Sequence, residues 1–83
     1  MKNLRERLIG CFQTVFPHLS AEETPKVSVS SVAEWDSLVS VTLLGVLEEE
    51  FDVQLQPEDM EYLVSFELVE DYMKEKKGNE DGA

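Results

Sequence analysis

The sequence predicts an all-α fold, a four-helix bundle with a long first loop and a short third helix. Three observations carry this. Apolar residues recur at intervals of three and four in separate segments. Each segment opens on a residue suited to a helix start: Asn3, Asp36, Pro57 and Ser65. The remaining apolar stretch, 52–56, has no partner strand signal elsewhere. With 83 residues the chain is expected to build one core. Residues 1–77 should form the domain and 78–83, small or polar, a frayed tail.

In the first segment Leu4, Leu8, Phe12 and Val15, widened by Ile9 and Phe16, form an amphipathic stripe. Asn3 and Glu6 have the spacing of a capping box, and Pro17 stops the helix. Between Pro17 and Asp36 the periodicity dissolves, which reads as a loop with one helical turn after Ser20, interrupted by Pro25. Val27, Val29 and Val32 are expected to anchor this loop at alternate positions.

Asp36, a favoured N-cap residue, opens the central helix from Ser37 to Phe51. On a helical wheel Val39, Leu43, Val46, Leu47 and Phe51 share one face, while Leu38, Val41, Thr42, Gly45, Glu48 and Glu49 spread over the opposite side. Pro57, Glu58 and Asp59 suit the start of a short third helix that ends near Leu63 and turns Met60 and Leu63 inward. Ser65 caps the fourth helix, whose buried stripe is Phe66, Val69, Tyr72 and Met73. Lys74, Lys76 and Lys77 suit its negative C-terminal end.

Composition narrows the function. Eighteen acidic against seven basic residues give a formal charge of −11, which opposes binding to nucleic acid or anionic lipid and favours basic protein surfaces. A core this small seldom walls a catalytic cleft, so carrying, binding or adaptor roles are favoured over an enzyme. The single cysteine, Cys11, excludes an internal disulfide and reads as a small buried hydrophobe. No apolar run is long enough for a membrane span or a signal segment, so a cytoplasmic monomer without membrane insertion is expected. No loop has the alternating oxygen ligands of an EF-hand, and no metal site is expected.

Asp36-Ser37-Leu38 at a helix start, followed by Val41, Leu43, Leu47 and then Glu48-Glu49-Glu50-Phe51, closely resembles the acyl carrier protein family. The resemblance runs from about Leu4 to Met73. It implies that a phosphopantetheinyl transferase, using coenzyme A, joins a phosphopantetheine arm to Ser37 through a phosphodiester. Asp36 would cap the helix and help present a metal ion to the transferase. The physics is compatible, because a hydroxyl in the first turn lies at the positive end of the helix dipole. Taken alone, Asp36-Ser37 is also what an ordinary helix cap looks like. His18, the only histidine, lies in the loop, so activation of the serine would have to come from the transferase.

The resemblance further implies a carrier that does no chemistry itself. Cargo would ride as a thioester between an acyl-activating ligase or acyltransferase and a ketosynthase or other acyl-using enzyme with a basic docking patch. Leu38, Val41, Thr42, Gly45, Glu48 and Glu49 are the docking candidates. Leu43, Leu47, Phe51, Leu55, Met60, Leu63 and Val69 are the candidates for an acyl pocket, each of which ordinary core packing also explains.

Three features depart from the pattern of fatty-acid carriers. Val39 and Thr42 stand where many of those carriers have acids, Gly45 where a larger apolar residue is common, and Trp35 where a small residue is usual. A specialised lipid or polyketide pathway therefore competes with a housekeeping fatty-acid role. The alternatives are an aminoacyl or peptidyl carrier and an unmodified acidic adaptor.

Overall fold

The computed structural model describes residues 3–77. The expected tail, 78–83, lies outside them. The order is α1 (Leu4–Val15), a 3-10 turn (Thr24–Lys26), α2 (Ser37–Phe51), a second 3-10 segment (Pro57–Tyr62) and α3 (Phe66–Lys77). The fold is all-α: the described residues contain an isolated bridge between Ser28 and Ser65 but no strand. None of their helices is long and apolar enough to cross a membrane.

The expected capping box opens α1. The Asn3 side chain accepts from the Glu6 N–H at 2.8 Å and the Asn3 N–H donates to the Glu6 carboxylate at 3.1 Å. Phe16 leaves helical space, as a residue before proline tends to, and turns its ring into the core.

The turn after Ser20 is present. Ser20 and Glu23 exchange side-chain-to-backbone bonds of 3.1 Å, and Thr24, fully buried, donates its hydroxyl to the Ser20 carbonyl at 2.7 Å. These backbone and hydroxyl donors hold the Glu23 carboxyl below its usual range. Val27 and Val32 anchor the loop as expected, but Val29 is 43% exposed. The reason is a tight turn: the N–H groups of Ser31 and Val32 both donate to the Ser28 carbonyl at 3.0 Å, which breaks the alternation of an extended chain.

Asp36 caps α2 by accepting the Val39 N–H at 3.0 Å. The helix closes on Asp52, which adopts the left-handed conformation at φ 53°. The short third helix is a 3-10 segment rather than an α-helix, because so short a piece has too few α-type bonds to offset nucleation. It opens on Pro57 inside a reciprocal Gln56–Asp59 cap. Leu63 is buried, whereas Met60 is half-buried. Ser65 caps α3 by accepting the Leu68 N–H at 3.1 Å.

One contiguous core joins the three α-helices. Leu4, Leu8, Phe12 and Phe16 meet Leu43, Leu47 and Phe51 from α2 and Phe66, Val69 and Met73 from α3. Phe12 is central, with ring centroids 5.0 Å from Phe66 and 5.6 Å from Trp35 in edge-on contacts. Tyr72 is half-buried and stacks on Tyr62 at 4.8 Å. Its hydroxyl donates to Asp59, which lowers the carboxyl of Asp59, while burial and that neighbour raise the phenol. Glu70, buried in the outer wall, receives both of its bonds from Arg5, at 3.0 and 3.1 Å.

Candidate functional site

The start of α2 brings Asp36, Ser37 and Leu38 together with the buried Trp35. Ser37 occupies the first helical position and is exposed to solvent. Asp36 satisfies the N–H of Val39, which leaves the N–H groups of Ser37 and Leu38 without intrahelical acceptors. No acidic side chain lies in the first turn itself, so the positive end of the helix is offset there only by the cap. The hydroxyl has no hydrogen-bond partner among the described residues. His18 faces Glu34, with Nε2 3.0 Å from its carboxylate.

Trp35 fixes this end of the helix. The indole is buried, its N–H donates to Ser40 Oγ at 3.0 Å, and its ring lies 5.5 Å from Phe16 as well as against Phe12. Ser40 is the polar residue of the inward face and is 8% exposed. Its place three residues before Leu43 puts it on the buried stripe, a signal that the apolar pattern passes over. A shallow cleft of about 440 Å³ opens beside Ser37, between the start of α2 and the second 3-10 segment. Trp35, Ser40 and Leu63 line it on the core side, and Val29, Met60 and Glu61 are also in its wall. Sequence reasoning missed Val29 and Glu61: the backbone pairing of 27–29 with 64–66 brings Val29 here, and Glu61 arrives with the second 3-10 segment.

Of the seven pocket candidates, Met60 and Leu63 reach this cleft. Leu43, Leu47, Phe51, Leu55 and Val69 are buried members of the continuous core, with Leu55 the least so.

The docking candidates divide. Leu38 and Val41 are 79% and 58% exposed, and Thr42, Gly45 and Glu49 are exposed beside them. Glu48 departs from expectation: it is half-buried, and its carboxylate accepts the Leu55 N–H at 2.9 Å, fastening the connector after α2. Its charge serves the fold because that backbone donor lies just past the helix end. Glu50 is also engaged, accepting from Arg7 Nε at 2.9 Å, while the Arg7 guanidinium lies 4.5 Å from the Phe51 ring centroid.

A second cleft, of about 620 Å³, runs between α1 and α2 past Gly10, Cys11, Thr42, Gly45 and Glu49. Burial, and then the nearby Glu50 charge, push the Cys11 thiol up to about 12, so it stays protonated and unreactive at neutral pH. Among the described residues no His, Cys, Asp and Glu cluster is arranged to hold a metal ion. No protein-family model, curated protein or solved structure matches the chain.

Proposed function

We propose that this chain is a carrier protein of the acyl carrier type, modified on Ser37 with phosphopantetheine. The observation that supports it most is an exposed, unpartnered hydroxyl at the first position of a long helix, with two free backbone N–H groups beside it. These groups fit a phosphodiester. Backbone donors and the helix dipole stabilise an anion at this end, beside a cleft whose wall also holds the Asp36 and Glu61 carboxylates.

In the modification the Ser37 oxygen forms a bond to the phosphorus next to the pantetheine half of coenzyme A. The bond to the adenosine bisphosphate half breaks, and the serine proton passes to a base of the transferase. The attached arm supplies a terminal thiol, on which cargo is held as a thioester. Ser37 anchors, Asp36 orders the helix start, and Leu38 and Val41 offer an exposed apolar contact with Glu49 as the nearby free charge. A basic patch on a transferase, ligase or synthase complements such a surface, with charge speeding encounter and apolar contact setting the fit.

The test is intact mass before and after incubation with coenzyme A and a promiscuous phosphopantetheinyl transferase. The wild-type chain should gain one arm. Ser37→Ala should gain none while keeping its stability to within about 0.5 kcal/mol, as expected for an exposed site. A folded wild-type chain that gains no mass would overturn the carrier reading and leave the unmodified adaptor.

A further inference from the structure

We infer that Trp35 closes the bundle beneath Ser37, so that cargo on the arm stays in the open cleft and long acyl chains are not taken into the core. This rests on Ser37 being the attachment point. A chain tethered there meets the cleft first, and on the core side it runs into Trp35, Ser40 and Leu63. Trp35 is held on three sides, by Ser40 through its N–H and by the rings of Phe12 and Phe16. Phe12 in turn packs on Phe66, so the plug belongs to an aromatic cluster spanning α1, the loop and α3.

Entry of a long chain at this end would have to expel the indole and leave the buried Ser40 hydroxyl without its donor, an unfavourable exchange for an apolar guest. The cleft itself suits a different cargo. Its wall combines Val29 and Met60 with the Asp36 and Glu61 carboxylates, which favours a short acyl unit, or one carrying a hydrogen-bond donor or an amine, over a long hydrocarbon. Trp35 is then the residue that sets cargo length.

The test loads the arm directly, using a promiscuous transferase with acetyl-coenzyme A or hexadecanoyl-coenzyme A, and verifies each product by intact mass. Absence of any added mass refutes the attachment at Ser37 and not merely the closure. On the loaded proteins two properties are read: the melting temperature and the rate at which hydroxylamine cleaves the thioester. Wild-type acetyl and hexadecanoyl forms should melt within about 2 °C of each other and be cleaved at rates within about twofold, because neither cargo is buried. In Trp35→Leu the hexadecanoyl form should melt about 4 °C or more above the acetyl form and resist hydroxylamine about tenfold better.

A wild-type hexadecanoyl form that is stabilised and protected would overturn the inference, and that measurement stands even if the variant does not fold. A folded Trp35→Leu chain that gains no protection would overturn the role of Trp35. As the only tryptophan, Trp35 also reports directly. Its emission should be the same in the two wild-type loaded forms, and a red shift on hexadecanoyl loading would mean that the plug had moved.

Discussion

The two ends of α2 carry the same kinds of residue to opposite purposes. At its start an aspartate caps the helix and leaves a hydroxyl, two N–H groups and the side chains of Leu38 and Val41 facing solvent. At its end Glu48 fastens Leu55 and Glu50 meets Arg7, so two of three consecutive acids are engaged in holding the fold. Formal charge is therefore a poor guide to available charge. Of the acidic triplet, Glu49 is the one left exposed and unengaged, while the start of the helix leaves the Ser37 hydroxyl exposed and without a partner among the described residues.

The largest expected effect lies at the helix start. Trp35→Ala removes a buried aromatic and should cost about 3–5 kcal/mol in urea unfolding. A loss under about 1 kcal/mol would mean that the start of α2 is not anchored through its indole. The helix end should respond less. Glu48→Ala should lose about 1.5 kcal/mol with its charged hydrogen bond, and Glu49→Ala should stay within about 0.5 kcal/mol. Rates of arm transfer at low and high salt sharpen the contrast: Glu49→Lys should slow transfer chiefly at low salt, whereas Glu48→Ala should not alter the salt dependence. Equal behaviour of the two acids would erase the distinction between structural and available charge.

Gly45, on the exposed middle of α2, should yield a gain. A Cβ built there meets nothing within 4 Å, so Gly45→Ala should stabilise by about 1 kcal/mol, read as a rise in melting temperature. The smallest effect concerns alkaline pH. Cys11, beside the end of α2, is raised from 9.0 to about 12 in the fold, chiefly by burial. Its stabilising contribution is complete below about pH 9 and declines as pH rises towards 12, because the unfolded chain ionises first. At about pH 9.5 the loss should be just under about 1 kcal/mol. Tyr72, also raised, adds a loss of the same sign beginning near its ordinary value of 10.0. Cys11→Ala should flatten the earlier part of this decline in pH-dependent urea melts.

Most helix boundaries were legible because their causes are local. Asn3 with Glu6, Asp36 and Ser65 act on N–H groups within three residues, so their spacing states their partners, and Pro57 starts its segment through its own fixed φ. The apolar stripes of α1 and α3 were legible for the same reason. Val29 was misread because alternate spacing implies extended backbone, whereas a chain of hydroxyl and N–H contacts from Ser28 to Ser31 folds that stretch into a turn. Glu48 was misread because a helical wheel knows nothing of a backbone donor seven residues away.

By itself the sequence determined the helices, their caps, the inward faces and the serine at the first position of α2, since hydrogen bonds and periodicity within one turn set all of these. Only the tertiary structure decided which acids are free, what stands behind the serine and where the open clefts lie. Those outcomes join elements distant in sequence, as Arg5 joins Glu70 and Arg7 joins Glu50. Such pairings follow from how the packed helices meet, and no local spacing encodes them.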